Sequence, residues 1–119
     1  MEQEENWMHK IRSLAPLIEK IEIEVVTCEA KVKKLQATLK LQALAQGIKT
    51  TSAQETYADS QESLYEARLK IGVAKGGLSA LKINLKALEI GFEQWRTEQV
   101  SARKEQARYG AWRLKQNIT

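Results

Sequence analysis

One proline, one cysteine, one histidine and one phenylalanine are spread over 119 residues. Each shortage excludes something. The lone Cys28 rules out an internal disulfide framework, and its thiol is expected to pack as a small apolar group. His9 has no companions at ligand spacing, so it reads as solvated and no metal site is expected. No acid pair in a pocket-forming context is present, and Lys75-Gly76-Gly77 lacks the strand and turn of a phosphate loop. An enzyme is therefore not expected, nor a metal or cofactor. No apolar stretch is long enough to cross a bilayer, and no membrane partner is expected. The opening Met-Glu-Gln-Glu-Glu has neither the basic nor the apolar region of a secretory signal, which makes the cytoplasm the expected location.

What is present is periodicity. Ile11, Leu14, Ile18, Ile21, Val25, Cys28, Val32, Leu35 and Leu39 alternate spacings of three and four without a break. A second run follows the same rule: Tyr57, Ser60, Leu64, Ala67, Ile71, Ala74, Leu78, Leu81, Leu85, Leu88, Phe92 and Trp95. Such a repeat fills the a and d positions of a heptad and keeps one helical seam against a partner. With 43% hydrophobic and 29% charged residues, the composition suits a helical chain rather than a disordered one. The expected fold is all-α, a long antiparallel helical hairpin that self-associates into a bundle or ring.

Within one helical domain over 1–119, the boundaries follow from local signals. Residues 2–12 read as a lead-in helix. Ser13 is a plausible N-cap with Pro16 in the first turn, although one helix kinked at Pro16 fits as well. Helix 1 would then cover 13–46, closed by Gly47 at C′ and Ile48 at C″. A turn over 47–51 leads to helix 2 over 52–114, which Ser52 and Glu55 open as a capping box. Gly76-Gly77 marks either a slight bend or a break into a third helix.

Helix 2 carries a second apolar stripe, Leu69, Val73, Gly76, Ala80, Ile83, Ala87 and Ile90, at c and f positions. A helix apolar on two sides is buried on two sides. Helix 1 can cover only one. Residues 14–46 as a helix span about 50 Å against about 95 Å for 52–114, so length leads to the same conclusion. The stripe is the expected interface between copies of this chain.

The net charge of +4 conceals blocks. Residues 1–30 hold seven acids and three bases; 31–49 hold five lysines and no acid. Residues 50–66 carry only acids, and 67–88 carry only bases: Arg68, Lys70, Lys75, Lys82 and Lys86. Two readings stay open. The blocks compensate one another across an antiparallel hairpin, or they form a polyanion-binding surface. The 67–88 block is hard to explain by pairing alone. In the C-terminal segment, Trp95, Tyr109 and Trp112 are interleaved with Arg96, Arg103, Arg108 and Arg113, a pattern suited to stacking single-stranded bases while cations hold the backbone. Packing at the end of a bundle would also use those aromatics.

The order of elements resembles a known family. A first helix, a basic turn (Lys49-Thr50-Thr51), an early Tyr57 and a long Ala- and Leu-rich helix ending in Arg-rich sequence are similar to the UvsY-like recombination mediators of bacteriophages. Thr50 to Arg103 carries most of the likeness. The resemblance implies a ring-like homo-oligomer that binds single-stranded DNA and helps a recombinase load where a single-strand-binding protein sits, in a bacterial or phage-infected cell. By position it implies backbone contacts from Lys49, Arg68 and Lys70. The Arg-rich extension beyond Ala102 departs from the family and leaves the DNA surface open.

Taken together, the expected function is an accessory single-stranded DNA-binding protein of phage-type recombination or replication. Lys31, Lys33, Lys34, Lys49, Arg68, Lys70, Arg103, Lys104 and Arg108 would engage phosphates, with Tyr109 and Trp112 as stacking residues. The alternative is a structural or adaptor coiled-coil protein that acts through protein contacts alone.

Overall fold

A computed structural model describes residues 2–118, with side chains to Lys115. It is an all-α helical hairpin: α1 Glu2–Ala45, α2 Thr51–Asp59 and α3 Glu62–Ile118, with no strand among the described residues. The chain divides into two compact units, one formed by Leu14–Ile83 and the other by Met1–Ser13 with Asn84–Thr119.

In the Leu14–Ile83 unit the heptad seam is the core. Val25, Leu39, Leu64 and Ala74 are buried, and the other apolar a and d residues are half-buried. Helix formation here owes more to this shared apolar face than to intrinsic propensity. The α1 end matches its local signals. The Ile48 N–H donates to the Ala43 carbonyl at 3.0 Å and the Gly47 N–H to Leu44 at 3.0 Å, the paired bonds of a Schellman motif. Gly47 takes φ 91°, where a Cβ is strained.

Three boundaries differ from expectation. First, α1 runs unbroken through Pro16, so 2–12 is not a separate helix and Ser13 is not an N-cap. The Ser13 hydroxyl donates back to the Lys10 carbonyl at 2.8 Å. Pro16 lies on the exposed face while Ile11, Leu14 and Ile18 continue the seam, so seam packing outweighs the lost backbone bond. Second, Thr50, not Ser52, caps α2; its hydroxyl accepts the Ala53 N–H at 3.2 Å.

Third, helix 2 is not continuous over 52–114; it breaks at Ser60-Gln61 rather than at Gly76-Gly77, which lie inside α3. The cause is a polar residue at a d position. Ser60 donates its hydroxyl to the Tyr57 carbonyl at 2.7 Å, and Gln61 Nε2 reaches the same oxygen at 3.3 Å. Side chains thus take an acceptor that a continuing helix would use. The change of direction lets Ala58 replace Ser60 in the core, packed with Leu64 against Leu39.

Two glycines test this backbone reading. Gly47→Ala should lower stability by about 1–2 kcal/mol because of its positive φ. Gly72→Ala, with nothing within 4 Å of the added Cβ, should raise it by up to about 1 kcal/mol through helix propensity. Thermal melts followed by far-UV circular dichroism would read both; shifts of the same sign would contradict the assignment.

In the other unit, the start of α1 lies along α3. Trp7 packs over Gly91 and against Phe92, with ring centroids 6.4 Å apart, and Phe92 stacks with Trp95 at 6.1 Å. The Trp95 indole N–H donates to Gln3 Oε1 at 2.9 Å. Trp95 is thus a packed seam residue, as its d position required.

Candidate nucleic-acid interface

The basic residues separate into those committed to ion pairs and those left open. Lys75 lies 3.2 Å from Glu29 and Lys82 3.8 Å from Glu22, both across the α1–α3 seam. Arg68 lies 3.0 Å from Asp59 across the α2–α3 corner, and Lys40 lies 3.7 Å from Glu55. Hairpin pairing therefore accounts for much of the acid-free 67–88 block, which charge counting had made difficult to explain. These pairs are solvent-exposed and individually worth about 0–1 kcal/mol. Their importance lies in occupancy: a phosphate at Arg68 would compete with Asp59.

Among the described residues, Lys31, Lys33, Lys34, Lys49 and Lys70 have no ion-pair partner, and all are exposed. The structure brings two of them together. Lys31 of α1 and Lys70 of α3 line one shallow groove with Cys28, Ser63, Glu66 and Ala67. Both lie at g positions, on the opposite side of the seam from Lys75 and Lys82 at e. Lys33 and Lys34 lie on the outer face of α1, and Lys49 lies in the turn before α2.

The remaining candidates form a separate group on the last part of α3. Residues from Arg96 to Lys115 are all exposed, and Arg103 borders a groove with Glu4, Trp95 and Val100. Beyond Arg103 the helix carries Lys104, Arg108 and Trp112 at intervals of four, which one helical face holds in line. Tyr109 and Trp112 pair with centroids 6.1 Å apart and an interplanar angle of 30°. They remain 62% and 57% exposed, so they do not pack as an end cap within the chain. The arm thus presents cations and two aromatic faces to solvent.

The seven residues expected at an interface between copies, Leu69, Val73, Gly76, Ala80, Ile83, Ala87 and Ile90, are all exposed along α3. A second outward stripe escaped the sequence analysis: Ile23, Val26, Leu41 and Leu44 on α1, each more than half exposed. Its signal is the f-position series Ile23, Ala30, Ala37 and Leu44, which Lys33 and Lys34 interrupt.

Among the described residues, no helix is long and apolar enough to cross a membrane, and no group of three His, Cys, Asp or Glu side chains is placed to hold a metal. His9 is exposed, and Cys28 is half-buried in the seam. No protein family, curated protein or solved structure matches the chain at a significant level.

Proposed function

We propose that this protein binds single-stranded DNA as an accessory factor of phage-type recombination or replication, in the cytoplasm of a bacterial or phage-infected cell. The observation that carries the reading is the C-terminal arm of α3. Exposed Arg103, Lys104 and Arg108 lie beside exposed Tyr109 and Trp112. Cations along a helix neutralise a flexible phosphate backbone, and an exposed indole stacks any base without regard to sequence. Lys31 and Lys70 offer a further phosphate contact, and Lys33, Lys34 and Lys49 add to the positive surface; Arg68 is held by Asp59. A sequence-tolerant surface of this kind suits a factor that helps a recombinase load on DNA already covered by a single-strand-binding protein.

The test is fluorescence anisotropy with a labelled oligothymidylate at several salt concentrations. Affinity should fall steeply with salt. Replacing Arg103, Lys104 and Arg108 together with Ala should flatten the log–log slope by about 2, given roughly 0.7 per lost single-strand contact. Trp112→Ala should weaken binding about tenfold, the equivalent of one stacked base. Absence of binding at low salt would overturn the reading and favour the coiled-coil adaptor, which needs no nucleic acid.

A further inference from the structure

The seam changes character at the level of Trp95. Trp7 continues the α1 register at d, but the a position before it holds Glu4, and on α3 the a position after Trp95 holds Gln99. Polar side chains do not fill a seam as apolar ones do, and two grooves open there. One is lined by Gln3, Asn6, Trp7, Lys10 and Trp95. The other holds Arg103 with Glu4, Arg96, Gln99 and Val100. Trp95 borders both, and so links the exposed arm of α3 to the start of α1.

The first groove has the walls and the polar groups that an unpaired nucleobase needs. Its volume of about 280 Å³ lies just under the range of pockets for drug-sized ligands, about 300–1,000 Å³, and suits one planar ring system. Trp7 and Trp95 are half-buried, each held by Phe92 while still bordering the groove. The Trp95 indole N–H donates to Gln3 Oε1 at 2.9 Å. An indole N–H only donates, so the carbonyl is the committed half of that amide and its NH2 remains for a base edge. Asn6, exposed beside it, offers a donor or an acceptor. Lys10 is the only charged residue in the lining and has no ion-pair partner among the described residues. Its ammonium lies 5.8 Å from the Trp7 ring centroid. A charge-assisted bond to phosphate is stronger than this exposed cation–π contact, so Lys10 can leave the ring to a base and hold the adjoining phosphate.

We infer that this groove seats one unpaired base of a bound single strand, its ring against Trp7 and Trp95 and its phosphate on Lys10. The inference rests on the single-stranded DNA reading and extends the contact surface from the arm to the start of α1. It also gives the chain a means of telling single strands from duplex. Cations alone bind either form, but the groove takes a base only when that base is free of its partner.

Tryptophan emission tests it on the full chain. The protein has three tryptophans, so Trp112→Ala leaves only the two that line the groove. In that variant, saturating oligothymidylate at low salt should quench the remaining emission, and a duplex should leave it unchanged. Lys10→Ala in the same background should retain binding through the arm, flatten the log–log salt slope by about 0.7 and lose most of the quenching. Both substituted positions are exposed, and circular dichroism would verify that the helices remain. Binding without quenching in Trp112→Ala would overturn the groove inference alone. Equal quenching by duplex would do the same, as would a slope and quenching that Lys10→Ala leaves unchanged. A wild-type chain that does not bind oligothymidylate would overturn the DNA reading, and the groove inference with it.

Discussion

Leu64→Ala is expected to lower stability by about 3 kcal/mol, shifting the urea midpoint downward by about 1–2 M. Leu64 is the largest side chain wholly shielded from solvent among the described residues. It forms one cluster with Leu39 and Ala58, against which Val32 and Leu35 pack. The position matters because the α2–α3 corner has little else to hold it. Ser60 and Gln61 satisfy backbone groups there, but the apolar contribution comes from Ala58 and Leu64 meeting α1. Truncation leaves a cavity that α2, only nine residues long, cannot fill by helix propensity alone. Leu114→Ala, at a 65% exposed position on α3, should stay within about 0.5 kcal/mol and serves as the control. Both would be measured at one protein concentration, since any association would stabilise the folded chain by mass action. A loss below about 1 kcal/mol at Leu64 would mean that the corner is not closed around this side chain.

The seam was legible because its rule is strict. Apolar residues at alternating spacings of three and four can face one partner only along a helix, so Ile11 to Leu39 and Leu64 to Trp95 were placed from spacing alone. The end of α1 was legible for a different reason: a Schellman motif is local, and Gly47-Ile48 contains what it needs. Failures occurred where local and tertiary terms conflicted. Ser13 and Pro16 are good start signals, but Ile11, Leu14 and Ile18 bind the segments before and after them into one helix. Thr50, Thr51 and Ser52 can each cap a helix, and sequence alone does not choose among them. Ser60 at a d position was the visible warning of a break, yet apolar residues on either side masked it.

The candidate site was less legible than the fold. Charge blocks along a chain do not say which charges face one another. Lys75 and Lys82 fall at e positions, where Glu29 and Glu22 wait across the seam; Lys31 and Lys70 fall at g, where two cations share a groove. A single heptad label thus separates a structural lysine from an available one. The aromatics divide similarly. Trp95 belongs to the seam, whereas Tyr109 and Trp112 follow it on a stretch of α3 that is exposed on every side.

Gly91→Leu is expected to destabilise the protein by about 2 kcal/mol, although leucine is the better helix former by nearly 1 kcal/mol. The reason is a single close approach. A Cβ built on Gly91 lies 2.8 Å from Cη2 and 3.0 Å from Cζ3 of Trp7, so any side chain there displaces the indole. Displacement breaks the Trp7–Phe92 contact and exposes apolar area on both rings. It also removes the ring from beneath Lys10, whose ammonium lies 5.8 Å from the centroid. Tryptophan emission should move to longer wavelength. A double-mutant cycle separates this mechanism from general strain in α3. If Gly91 exists to admit the indole, Trp7→Ala should cost about 2 kcal/mol in the wild type and little in Gly91→Leu, because the contact is already lost there. Full additivity would show that Trp7 and Gly91 act independently. Gly72→Ala provides the contrast, since an added methyl at that glycine meets nothing. Two glycines in one helix should then respond in opposite directions to a larger side chain, and the difference is set by a tryptophan that lies 84 residues away in sequence from Gly91.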